Sequence, residues 1–167
     1  MTRPYSSTQL DLPDHLAQHV LEHAARIPKE DLAKDGLEDR PHVTTKFGII
    51  GDSYKPVAAA LKGEYPATAR FGHTRIFETP EADVLHVEVT GHDLHRLHRK
   101  LNRLPHDDSH AEFAPHVTLA YMKVGTGHRY AGQAVPRLTG RTAVFREVTF
   151  SSKNGRKVKI PLEPSQD

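Results

Sequence analysis

The sequence has no cysteine, no tryptophan and only two methionines. Without cysteine it can form no disulfide, no thiolate-bound metal site and no cysteine nucleophile. That composition suits a reducing compartment. An excess charge of one sign is also missing. The 23 Lys and Arg stand against 21 Asp and Glu, for a formal net charge of +2, with 13 His in reserve. A general nucleic-acid coat is far more basic; this balance suits a small anionic ligand held in a local pocket. No apolar run approaches the length of a membrane span, and Met1-Thr2-Arg3-Pro4-Tyr5 lacks the apolar core of a signal peptide. The expectation is a soluble, cytoplasmic protein with no membrane partner. The 167 residues are the size of one domain with its own core, spanning 1–167, with 163–167 as a frayed tail. No obligate protein partner is inferred, so a monomer is expected.

What the chain does contain is one word written twice. Pro-His-Val-Thr occurs at Pro41–Thr44 and again at Pro115–Thr118, 74 residues later. An apolar run follows each copy, so both read as strands, at about 41–50 and 115–123. Side chains alternate along a strand, so a His and a Thr two residues apart share a face. Strict alternation groups His42, Thr44 and Lys46 against Val43, Thr45 and Phe47. It groups His116, Thr118 and Ala120 against Val117, Leu119 and Tyr121. The valines are core anchors, and the His and Thr pairs face a groove. The proline before each His lacks a backbone donor and restricts the strand entry. A lone H-x-T is a weak signal. Its specificity comes from the repeated four-residue word in matching surroundings.

Those surroundings repeat as well. Ser7–Leu12 reads as a strand closed by Pro13. Leu16, Val20, Ala24 and Ile27 then recur at helical spacing until Pro28. A polar loop over 29–40 leads to the first motif strand, a short helix over 55–62, and a strand over 67–77. In the second half, Val84–Val89 is a strand. His92–Leu104 is a helix with Leu94, Leu97, Leu101 and Leu104 on one face, stopped by Pro105. A polar loop leads to the second motif strand, a looser stretch over 126–136, and strands over 141–150 and 156–162. The predicted fold is α+β. Two strand–helix–strand halves are related by a pseudo-two-fold axis, and antiparallel sheets line a central cleft.

The paired Pro-His-Val-Thr words resemble the H-x-T/S signatures of the 2H phosphoesterase superfamily. The resemblance spans about residues 6–162. The superfamily includes RNA 2′,3′-cyclic phosphodiesterases and phage anti-CBASS enzymes that degrade cyclic oligonucleotides. Ser6–Pro13, Ile27–Leu32 and Gly36–Arg40 are most similar to the anti-CBASS branch. The resemblance implies metal-independent cleavage of 3′–5′ links in cyclic di- or oligonucleotides, with no cofactor and no metal ligands. The residues themselves supply that chemistry. An ordinary imidazole titrates near pH 6.5 and can give or take a proton. His42 and His116 would act as acid and base, in an order left open, while Thr44 and Thr118 hydrogen-bond the phosphate oxygens.

Three further residues are candidates for holding substrate. Tyr5 is placed to stack a base, Lys46 to add a point charge, and Glu147 to meet a base edge or orient water. An RNA end carrying a 2′,3′-cyclic phosphate is the alternative substrate, and a non-catalytic nucleotide sponge is the alternative function. His92, His95, His98, His106 and His110 form a histidine-rich stretch. The buried stripe Leu94, Leu97 and Leu101 is expected to turn the helical ones to solvent, so they are set aside as metal ligands. Ser152–Lys157 reads as a hairpin turn with Asn154-Gly155 at its tip.

Overall fold

The computed structural model describes residues 4–107 and 112–164. The first half contains β1 (Ser6–Asp11), α1 (Asp14–Ala24), β2 (Leu32–Leu37), β3 (His42–Ile49), α2 (Lys55–Ala60) and β4 (Ala67–Glu78). The second contains β5 (Asp83–Thr90), α3 (His92–Leu101), β6 (His116–Met122), β7 (Thr142–Phe145), β8 (Glu147–Ser151) and β9 (Lys157–Pro161). Every pairing of these strands is antiparallel. The sheet runs β7-β4-β5-β6-β3-β1-β8-β9, with β2 alongside β6. It is a curled antiparallel sheet with helices, in the predicted fold class.

The strand order is symmetric about the β3–β6 junction. β5 corresponds to β1, β4 to β8, and β7 to β9. The fourth strand of each half therefore crosses over: β4 pairs with β5 of the second half, and β8 with β1 of the first. The helices cross too, with α1 contacting β6 and α3 contacting β3. Neither half can bury its apolar face without the other. Leu16, Val20 and Ala24 of α1 and Leu94, Leu97 and Leu101 of α3 enter one core with Leu10, Val43, Val87 and Val117. Gly91 precedes α3 where the chain passes close to β4. A Cβ there would stand 2.6 Å from the Thr68 carbonyl oxygen, so only glycine fits without movement.

Two expectations change. The polar loop over 29–40 contains β2, which meets β6 at Leu32↔Met122 and Leu37↔Ala120. Its side chains are at best half-buried, so no alternation marks it. The run over 141–150 is two strands, since Arg146 interrupts it. β7 goes to β4 and β8 goes to β1, at opposite sides of the molecule. The Asn154-Gly155 hairpin forms between β8 and β9, with Gly155 at a φ of 87°.

Candidate active site

The two motif strands meet at one residue pair, Val43↔Val117. Both valines are fully buried, so the residues on either side of each point to the opposite face, into the cleft. Antiparallel register sets His42 across from Thr118 and Thr44 across from His116. All four groups therefore surround one point on the pseudo-two-fold axis. The strand entries are fastened alike. Leu12 N–H donates to the Pro41 carbonyl at 3.1 Å, and Val89 N–H to the Pro115 carbonyl at 3.2 Å.

Each motif histidine also makes the same local bond. His42 Nδ1 donates to the Arg40 carbonyl at 2.7 Å, and His116 Nδ1 to the Ala114 carbonyl at 2.8 Å. A carbonyl only accepts, so Nδ1 carries hydrogen and Nε2 is left to exchange a proton with substrate. His86 and His106 bond the carbonyl two residues back in the same way. The contact sets a tautomer and does not by itself mark a catalytic histidine.

Past each threonine the alternation breaks, at equivalent places. Gln9 faces Thr44 but Thr8 faces Lys46, so Thr45 is an extra residue in β3. His86 faces Thr118 but Leu85 faces Ala120, so Leu119 is an extra residue in β6. These are β-bulges, which re-aim the side chains that follow them. Thr45, Lys46, Leu119 and Ala120 are all buried. Phe47 and Tyr121 return to the cleft face.

The expected grouping of Lys46 with His42 and Thr44 is therefore corrected. Lys46 is 1% exposed and donates from Nζ to Asn102 Oδ1 at 2.7 Å, just beyond α3. The same helix holds the bulge, because His98 Nδ1 donates to the Thr45 carbonyl at 2.8 Å. His98 also stacks on Phe113, with ring centroids 4.1 Å apart. It is thus bonded to the strand rather than turned to solvent. Among the described residues, no three His, Asp or Glu side chains are grouped to hold a metal; His110 lies outside the described residues.

The neighbours of the two histidines differ. Beside His42, β1 presents Asp11. Its carboxylate accepts from Gln9 Nε2 at 2.6 Å and Thr149 Oγ1 at 2.7 Å. Beside His116, β5 presents Glu88, which is ion-paired with Arg75 at 3.1 Å. His86 lies across from Thr118 and is stacked on Phe77 at 3.9 Å. The His116 ring stands edge-on to both, at 4.9 Å from Phe77 and 5.0 Å from His86. Burial pushes His86 down to about 4, so it is neutral near pH 7.

Glu147 shares the cleft face of β8 with Thr149, two strands from His42, and lies 3.4 Å from Lys159 Nζ. Tyr5, just before β1, donates to Asp107 Oδ2 at 2.7 Å, and that bond holds its phenol above the ordinary value. Sequence reasoning missed Asp11, Phe77, His86 and Glu88, because only the strand register brings them beside the motifs. Phe47 had no usable signal, whereas Tyr121 had one. Leu119-Ala120 puts two apolar residues in succession, which breaks a two-residue period.

A cleft floored by two H-x-T strands related by a two-fold axis is the architecture of the 2H phosphoesterases. A family model described as the 2′-5′ RNA ligase superfamily matches residues 12–154, which include both motifs. The chain belongs to that superfamily. Among solved structures it is similar to TT0787 of Thermus thermophilus, at 20% identity over 95% of each chain with a TM-score of 0.62. It is similar to Escherichia coli LigT in apo form, at 18% identity over 98% of this chain and 96% of that one, with a TM-score of 0.58. A further structure described as a phosphoesterase is 18% identical over 96% of each chain, with a TM-score of 0.59. No curated protein matches the chain.

Proposed function

We propose that this protein is a metal-independent phosphodiesterase that cuts 3′–5′ links of cyclic di- or oligonucleotides by acid–base catalysis between His42 and His116. The observation that carries the reading is the Val43↔Val117 pairing, which sets both His/Thr pairs around one point. In the first step the 2′-hydroxyl attacks the adjacent phosphorus and the bond to the 5′-oxygen breaks. One imidazole takes the 2′-hydroxyl proton, and the other, as imidazolium, gives its proton to the departing 5′-oxygen. The products are a 2′,3′-cyclic phosphate and a 5′-hydroxyl. Water then opens the ring with the two roles exchanged, which restores both protonation states. Each transfer is worth roughly 10²- to 10⁴-fold in rate. The Thr44 and Thr118 hydroxyls donate to the non-bridging oxygens, where charge builds.

The surroundings favour one division of the roles. The Asp11 carboxylate is held by two neutral donors, whereas Glu88 is paired with Arg75. The more negative half-site is the better home for a cation. His42 is therefore the proton donor in the first step and His116 the acceptor. Tyr121 and Phe77 offer rings for one base, Tyr5 offers another, and Glu147 offers an acceptor for a base edge. Lys46 drops out of this set because it is buried on the other face. The resemblance of the segments around β1 and β2 to the anti-CBASS branch supports cyclic oligonucleotide immune signals, met in the cytosol, as the substrates.

A second reading is an RNA 2′,3′-cyclic phosphodiesterase. The family match favours it, as does the similarity to Escherichia coli LigT, a structure of which holds 3′-AMP. One experiment separates the two. The protein is incubated in EDTA with cyclic di- and trinucleotides, a 2′,3′-cyclic mononucleotide and an RNA ending in a cyclic phosphate, and the products are followed by chromatography. Faster turnover of the cyclic oligonucleotides supports the first reading, and faster turnover of the RNA end supports the second. Cleavage of none of them overturns both.

A further inference from the structure

The second half carries a row of polar residues that the first half lacks. Glu88 faces His116, and Thr90 lies two residues further along the same face of β5. Thr90 pairs with Arg70 of β4, and Arg70 pairs with Thr142 of β7. Direct cross-strand partners share a face. A guanidinium therefore stands between two hydroxyls on the cleft side of the sheet. The equivalent place in the first half, two residues past Asp11, is Pro13, beyond the end of β1. Duplication did not supply this row.

The row borders a cavity of about 660 Å³, the size of a small-ligand site. Thr68, two residues before Arg70, also lines it, as do His92 and His95 of α3. Among the described residues, the one carboxylate lining the cavity is that of Asp93. Its oxygens already accept from Thr68 N–H, at 2.8 Å, and from the Arg96 guanidinium. An exposed arginine is ordinary by itself. Arg70 differs from Arg75 and Lys159 on the same face, which are paired with Glu88 at 3.1 Å and Glu147 at 3.4 Å. Among the described residues, Arg70 has no carboxylate partner. A guanidinium between hydroxyls, over a cavity whose acid is already bonded, suits an anion.

We propose that this cavity holds a second phosphate of the substrate, one link removed from the phosphate between the histidines. Arg70 is its counter-charge, and Thr90 and Thr142 are its hydroxyl donors. Arg70 stands two strands and one two-residue step from His116, about 12 Å between backbones. An arginine side chain covers part of that span, and one nucleotide covers the rest. The inference rests on the phosphodiesterase reading above and narrows its substrate class to phosphodiesters that carry a further phosphate. Cyclic di- and trinucleotides carry one, and a 2′,3′-cyclic mononucleotide does not.

The test uses binding, which does not depend on turnover. A 2′-deoxy dinucleoside monophosphate lacks the attacking hydroxyl and survives the titration. It is compared calorimetrically with the same dinucleotide bearing an added 5′- or 3′-terminal phosphate. The proteins are the wild type, Arg70→Gln, Arg70→Lys and Lys29→Gln. One of the two phosphorylated forms should bind the wild type at least about fivefold more tightly than the plain dinucleotide. Arg70→Gln should bring that ratio to within about twofold of unity. Arg70→Lys should keep part of it, and Lys29→Gln, the same charge loss outside the cavity, should keep all of it. No wild-type advantage for either phosphorylated form would overturn the proposal. So would an advantage that survives Arg70→Gln, or one that Lys29→Gln reduces equally. Each of these results leaves the phosphodiesterase reading intact, because that reading fails only if the cleavage panel gives no product.

Discussion

On the His42 side of the cleft the neighbouring strand offers a carboxylate, Asp11, held by an amide and a hydroxyl. On the His116 side it offers Glu88, already paired with an arginine, and a neutral histidine stacked on a phenylalanine. The backbone repeats faithfully, through the proline entries, the His Nδ1 bonds and the bulges. The neighbours do not repeat. Duplication can supply two identical imidazoles, yet acid–base chemistry needs them to differ at any instant, one charged and one neutral. The proposed division of roles rests on the unlike neighbours.

The sharpest way to break the comparison is to remove one side. His42→Ala and His116→Ala should each lower kcat/KM by several orders of magnitude on any cleaved phosphodiester. The double variant should be little worse than either single one, because groups that act as a unit are not additive. Next come the flanking carboxylates. Asp11→Asn removes an uncompensated charge beside His42, whereas Glu88→Gln removes one already balanced. Asp11→Asn should therefore cost more, about tenfold against roughly two- to threefold, and should reshape the pH–rate profile where Glu88→Gln leaves it. Equal effects would mean that the half-sites are electrostatically alike.

A smaller effect should appear in stability. Unfolded, His86 takes up a proton near pH 6.5, the ordinary histidine value; folded, it does so only near about 4. Between these values the unfolded state binds more protons, so stability falls as pH drops from 6.5 to 4. His86→Phe should flatten that fall, which thermal unfolding at pH 7 and pH 5 would measure. The smallest effect on catalysis should come from Lys46→Met. It should leave kcat/KM within about twofold while lowering the melting temperature, since it strips Asn102 of a buried donor. A large loss of activity without loss of stability would return Lys46 to the cleft.

The sequence made the motif strands, the two main helices, the duplication and the four central side chains legible, because each rests on local periodicity or on a repeated word. The bulges were not legible at Thr45-Lys46, where nothing in the residue types marks an extra position. That one-residue shift moved Lys46 into the interior and Phe47 into the cleft. β2 escaped because Leu32–Leu37 has no buried face to imprint a pattern. His86 was one of 13 histidines. Only the pairing of β5 with β6, a contact between residues over 30 positions apart, selects it.

The central claim is that His42 and His116 act on one phosphate with different jobs, and a change of leaving atom tests it most directly. In a dinucleotide whose 5′-bridging oxygen is replaced by sulfur, the departing thiolate needs no protonation. The variant lacking the acid should then recover, and the one lacking the base should not. His42→Ala is expected to cleave the sulfur substrate at a rate approaching wild type, with His116→Ala still impaired by orders of magnitude. Rescue of His116→Ala instead, or of neither variant, would contradict the account.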